Sequence, residues 1–224
     1  MTSYPSPNFG ERRGGVRPSL IVIHYTAMAS FSGARQRLCD PSVEVSAHWL
    51  ISEVGHAEPL VDEAHRAWHA GAGAWAGITD VNSHSIGIEL ANSGAQPFAE
   101  PQMAALEVVL ATTMARWNIP PHRVIGHSDM APVRKSDPGP RFDWRRLALR
   151  GLSVWPQACS AGRPGDFITD AQRFGYAASA GDVLLAAFRL RFRPWARGPL
   201  DSTDAALAAD LAARYPVDAA SLQA

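Results

Sequence analysis

Short apolar runs broken by Gly, Pro and polar clusters make up the longer N-terminal part of the chain, and apolar positions at helical spacing follow. Residues 19–23 are an apolar, β-branched run that ends in His24-Tyr25-Thr26, the pattern of a buried strand. Period-two geometry puts Val22 and His24 on one face, so the imidazole leaves the sheet at its end. Residues 32–38 read as a short helix or turn, 45–51 as a second strand and 59–61 as a third, with a turn at Gly55. The Gly-rich, aromatic segment 68–75 reads as a loop. Residues 86–90, Ile-Gly-Ile-Glu-Leu, are a strong strand run with a carboxylate inside.

Glu100-Pro101 opens the clearest helix, through about Trp117, with Leu106, Val109, Leu110 and Met114 on one stripe. Asn118-Ile119-Pro120-Pro121 ends it. Residues 124–127 are the next strand, and 144–149 a short helix. Strands before and after a helix predict an α/β layering around one central sheet. Residues 1–18, rich in Pro, Gly and Arg, form an irregular arm to a domain spanning 1–156, and 157–165 read as a linker. The remainder, 166–224, predicts a small all-α module of three helices near 166–174, 181–192 and 202–215. About 60 residues is near the lower limit for an independent core, which suits an accessory module.

Composition narrows the classes. The chain has 224 residues, 46% apolar and 19% charged, and its 21 Lys and Arg balance 21 Asp and Glu. That balance lacks the electrostatic footprint of a nucleic-acid binder. No stretch approaches the roughly 20 apolar residues of a membrane span, and the first residues lack the apolar core of a signal peptide. The expectation is a cytoplasmic protein, or a periplasmic one if a leader was removed. Cys39 and Cys159 lack C-x-x-C spacing and read as reduced thiols.

Candidate chemistry centres on Val124-Ile125-Gly126-His127 and the loop returning through Lys135 and Asp137 to Pro138-Gly139-Pro140. Imidazole and carboxylate are both zinc ligands, and a loop of this length can bring them together. His24 also closes a buried strand, at the sheet edge where ligands collect in α/β folds. Glu89 sits inside an apolar strand, where an unpaired carboxylate is costly. It is either salt-bridged to an arginine or the base of a zinc cleft. Three protein ligands with an open position for water are what a catalytic zinc needs.

Five motifs in order carry a resemblance: Ile23-His24-Tyr25-Thr26, Ser46-Ala47-His48-Trp49-Leu50, Trp68-His69-Ala70-Gly71, Asn82 with residues 85–90, and residues 126–140. The chain resembles the zinc-dependent N-acetylmuramoyl-L-alanine amidases, which include phage amidase-type lysozymes and peptidoglycan recognition proteins. The resemblance implies a central mixed β-sheet flanked by helices. It implies one zinc on His24, His127 and Asp137, Glu89 as general base and Lys135 as oxyanion stabiliser. The bond cut would join N-acetylmuramic acid, or its 1,6-anhydro form, to L-alanine of the stem peptide. The expected partners are muropeptides or cell wall. His69, Trp68, Asn82 and Trp49 are the substrate-binding candidates, with structural roles open for each. Trp49 stands where relatives often have tyrosine. The C-terminal helices resemble a peptidoglycan-binding module. The arginine run 189, 191, 193 and 197 reads first as a solvated helix end and second as a contact for carboxylates. Two rivals remain at this point: a non-catalytic peptidoglycan receptor on the same fold, and a metal-free polar core cluster.

Overall fold

A computed structural model describes residues 5–157 and 162–217. The strands are β1 (Phe9–Gly10), β2 (Leu20–Tyr25), β3 (Trp49–Ile51), β4 (Ala57–Pro59), β5 (Arg66–Ala67), β6 (Ser85–Leu90) and β7 (Val124–Gly126). The helices are α1 (Phe31–Leu38), α2 (Val81–His84), α3 (Glu100–Trp117), α4 (His127–Met130), α5 (Trp144–Leu149), α6 (Phe167–Phe174), α7 (Gly181–Phe192) and α8 (Ser202–Arg214). Five strands form one mixed sheet in the order β4-β3-β6-β2-β7, with β3, β6, β2 and β7 parallel and β4 antiparallel at the edge. β1 and β5 form a separate two-stranded ribbon, so the N-terminal arm is partly ordered by pairing that its Pro and Gly content hides.

β2 runs through the middle, and its five residues from Leu20 to His24 are all buried. A central parallel strand must be apolar on both faces, which is why it reads as a continuous run rather than an alternation. Ile21 and Ile23 point towards α3 and α5, where Met103, Leu106, Leu110, Trp144 and Leu147 meet them. Leu20 and Val22 point the other way. There they join Trp75, Met130, Phe167, Phe174, Leu184 and Phe188 in one cluster that includes Ala208 and Leu211. The C-terminal helices therefore cover the second face of the sheet and share its core, giving three layers.

Three arginines of the run, 189, 191 and 193, are held by carboxylates in this cover, contrary to the expectation of a solvated helix end. Arg191 is buried and donates to Asp129 Oδ2 at 2.8 Å, to the Val124 carbonyl at 2.9 Å and to Ser153 Oγ at 3.2 Å. Its guanidinium also lies 4.4 Å from the Trp144 ring centroid. Arg189 is buried on Asp204, and Arg193 reaches Asp201 and Asp204. A guanidinium inside a core needs a carboxylate, and α4 and α8 supply them.

Other boundaries moved. The strand expected over 45–51 starts only at Trp49, because Ser46 instead bonds the Trp68 carbonyl at 3.1 Å and leaves the ladder. The strand expected at 59–61 pairs earlier, at Ala57–Pro59. Cys39 carries a free thiol. Cys159 with residues 158–161 of the expected linker, residues 218–224 of the expected helical module and the first four residues lie outside the described residues. Among the described residues no helix is long and apolar enough to cross a membrane.

Candidate metal centre and active site

Parallel register assembles the site. On β2 and β6, His24 lies opposite Glu89, and Leu50 of β3 lies in the same row. On the other side Ile23 pairs with Gly126, so His127 follows at the end of β7 and opens α4. Residues in one row of a parallel sheet share a face, so His24 and Glu89 emerge side by side at the C-terminal edge. Asp137 returns to this edge because its own carbonyl accepts the Ser128 N–H at 2.9 Å, tying the loop's end to α4.

Three atoms converge. His24 Nδ1 is 2.9 Å from His127 Nδ1 and 3.0 Å from Asp137 Oδ2, and His127 Nδ1 is 3.1 Å from the same oxygen. His127 Nε2 lies 2.9 Å from the Ala70 carbonyl, which only accepts, so this nitrogen carries the proton and Nδ1 carries a lone pair. Tetrahedral zinc with ligands at about 2.0–2.1 Å would separate them by about 3.3 Å, close to what is seen. His24, His127 and Asp137 thus form a group able to hold a metal ion. Burial, then the neighbouring His127, pushes the His24 imidazole down to about 4, so it is neutral, as a ligand must be.

Beside this group lies a cleft of about 370 Å³, lined by Trp68, His69, Glu89, Lys135 and Arg37 among others. Glu89 is half-buried on its floor, and its Oε2 is closed off from solvent without a hydrogen-bond partner among the described residues. Desolvation, then the charge of Asp137, pushes this carboxyl up to about 8, against a smaller opposing pull from Lys135. Among the described residues no arginine forms an ion pair with Glu89, so the salt-bridged alternative is not what the fold builds. Lys135 is exposed at the rim.

A family model for N-acetylmuramoyl-L-alanine amidase matches residues 14–140. The chain belongs to this amidase family. It is 36% identical over 237 residues to the N-acetylmuramoyl-L-alanine amidase AmiD of Escherichia coli K12, covering 90% of this chain and 85% of that protein. The 1,6-anhydro-N-acetylmuramyl-L-alanine amidase AmpD of Haemophilus influenzae is 36% identical over 159 residues, covering 63% of this chain and 86% of that one. Among solved structures, E. coli AmiD with anhydro-N-acetylmuramic acid-L-Ala-D-gamma-Glu-L-Lys superposes with a TM-score of 0.83 at 32% identity, covering 94% and 99% of the two chains. AmpDH3 of Pseudomonas aeruginosa with anhydromuramic pentapeptide gives 0.81 at 31%, covering 91% and 94%.

The amidase places the remaining candidates unevenly. Trp68 and His69 line the cleft. Trp49 does not; it packs on the α3 side of the sheet, where its indole donates to Glu63 at 2.8 Å. Asn82 also stays out of the cleft, and its Oδ1 accepts the backbone N–H groups of His69 at 3.0 Å and Ala70 at 2.8 Å. Sequence reasoning missed Ser85, Ala70 and Arg134. Ser85 opens β6 beneath His69, and Arg134 donates to the Ala70 and Ala72 carbonyls. All three stood inside the motifs that carry the resemblance, but none had been given a role.

Proposed function

We propose that this amidase hydrolyses the amide joining N-acetylmuramic acid, in its plain or 1,6-anhydro form, to L-alanine of the stem peptide, using one zinc on His24, His127 and Asp137. The observation that supports this most is the convergence of two imidazole nitrogens and a carboxylate oxygen beside a glutamate with a free oxygen. When bound, zinc supplies Lewis-acid polarisation and an acidified water near neutral pH. The relatives solved with anhydromuramyl peptides share this fold over nearly the whole chain, which supports the substrate class.

The chain's own residues then divide the work. Glu89 takes the proton of the attacking water and delivers it to the departing L-alanine nitrogen. Its unpartnered Oε2 is free for this, and a carboxyl raised by burial is better matched to neutral operation than an exposed one. Lys135, exposed at the cleft rim and without a carboxylate bound to its amine among the described residues, places positive charge where the tetrahedral oxyanion develops. Trp68 forms a wall of the cleft against which sugar or peptide packs.

The test incubates zinc-loaded protein with anhydro-muropeptide and with plain muropeptide, and follows free stem peptide by mass spectrometry. EDTA-treated protein and Glu89→Ala run alongside. Release that both controls abolish supports the reading, and the ratio between substrates fixes the preferred sugar. Muropeptide retained but never cleaved by the zinc-loaded protein would overturn it in favour of a receptor.

A further inference from the structure

Beneath the metal group lies a second layer of hydrogen bonds whose proton positions can be counted from one end. Ser85 Oγ is 2.6 Å from the Val81 carbonyl, so the hydroxyl proton goes there and its lone pairs face His69. His69 Nε2, 3.2 Å from that oxygen, must therefore be the donor. A neutral imidazole has one N–H, so His69 Nδ1 is left as an acceptor, and it lies 3.0 Å from His24 Nε2. His24 Nε2 then carries the proton, and His24 Nδ1 presents a lone pair to the metal group. The reverse assignment would need a second proton on Ser85, which does not exist.

His127 is set from the same short segment. Its Nε2 donates to the carbonyl of Ala70, the residue after His69. Arg134 donates to that carbonyl as well, filling both its lone pairs; Arg134 is 3.3 Å from His127 Nε2, a longer approach than the 2.9 Å to the carbonyl. Asn82 Oδ1 pins the segment by accepting both the His69 and the Ala70 N–H. Gly87 on β6 leaves the room: a Cβ there would sit 2.4 Å from the His69 ring. Nothing in the cleft explains an asparagine buried under two successive amides, or a glycine inside a strand. A ring seated between a serine and a metal ligand explains both.

We infer that His69, Ala70 and Asn82 form an outer-layer clamp that fixes the tautomer of both histidine ligands, with His69 a positioning residue for His24 rather than primarily a contact for substrate. The inference rests on the zinc reading above. It adds that metal affinity is set by His69 and by the Asn82-held backbone. Loss of such outer partners typically weakens metal binding by about 10–100-fold.

The experiment reads zinc affinity, by competition with a fluorescent chelator, for wild type, His69→Leu, His69→Asn and Asn82→Ala, each checked for folding by circular dichroism. Asn at position 69 can offer an oxygen where Nδ1 stood. Expected is a loss of about 10–100-fold for Leu, recovery to within about 3-fold of wild type for Asn, and an intermediate loss for Asn82→Ala. Long-range proton–nitrogen NMR on the zinc-loaded wild type gives a readout that needs no variant: both His24 and His127 should carry their proton on Nε2. A protonated Nδ1 on either ring, or His69→Leu binding zinc as tightly as wild type, overturns the clamp. If wild type takes up no zinc at all, the metal reading falls first and the clamp with it. Undiminished zinc uptake in His69→Leu removes the clamp alone.

Discussion

Glu89 and Glu63 are both carboxylates drawn into the body of the same protein, and the fold treats them in opposite ways. Glu63 receives Trp49 Nε1 at 2.8 Å, Thr113 Oγ1 at 3.0 Å, Arg116 at 2.5 Å and Trp117 Nε1 at 2.6 Å. Burial alone would raise its pKa, but these donors outweigh that and hold it below the usual range. Glu89 lies at the end of a strand with an unpartnered oxygen, and burial lifts it to about 8. A satisfied carboxylate ties elements together. An unsatisfied one keeps its proton chemistry available, at a cost in stability that the rest of the fold must cover.

The comparison breaks most sharply at Glu89. Glu89→Gln should lower the rate of peptide release by about 10²–10⁴-fold. The same variant should make the metal-free protein more stable at pH 7, by as much as about 3 kcal/mol, since the unfolded chain ionises this group near its ordinary value while the folded one resists. The sign follows from a raised folded pKa: between about 4.5 and 8 the folded state holds the extra proton, so stability falls as pH rises through that window. Urea denaturation of both metal-free proteins at pH 4.5 and pH 7 checks it; a variant less stable at pH 7 would break the contrast.

A satisfied carboxylate can be turned into an orphan from outside. Asp129 is fully buried, with Gly126 N at 2.8 Å, Tyr176 at 2.6 Å and Arg191 at 2.8 Å as donors. Arg191→Met leaves its charge underpaid in donors, and the expected loss is about 3–5 kcal/mol in denaturant unfolding. Glu63→Ala should cost less, about 3 kcal/mol, because Arg116 is half-exposed and regains water. Peptide release per folded molecule should stay at the wild-type level in Glu63→Ala, since Glu63 lies away from the cleft. Loss of release without loss of stability would show that the two glutamates are not separable.

How far these contrasts were legible depended on whether the signal was local. β2, β6 and α3 announced themselves because an apolar run or stripe is written in consecutive residues; His24, Glu89 and His127 stood out at or near strand ends, while their union with Asp137 in one site was what the family resemblance implied. The cover layer did not. Arg191 and Asp129 lie 62 positions apart, and an arginine beside a helix end reads as solvated until its partner is known. Trp49 was misplaced because its motif does not show that it packs on the α3 side of the sheet, where its indole donates to Glu63. α2 and α4, at four residues each, are too short for any periodicity to show. The proton order through Ser85 and His69 depends on distances to carbonyls, which no residue pattern encodes.

The smallest effect is expected at His48. Its Nδ1 accepts the Gly87 N–H at 2.9 Å and its Nε2 donates to the His65 carbonyl at 3.1 Å, so both nitrogens are used by the neutral ring. Protonation would put a second N–H against the Gly87 N–H, and burial already pushes the ring down to about 4. The unfolded chain binds this proton near pH 6.5, so between about 6.5 and 4 it holds more protons than the folded one, and stability falls as pH falls. Across the whole window the loss is at most about 3 kcal/mol. His48→Asn, whose side-chain oxygen can still accept from Gly87, should be less stable than wild type at pH 7 but should lose less on acidification. Equal losses in both proteins would place the acid sensitivity elsewhere in the fold and leave His48 a packing residue only.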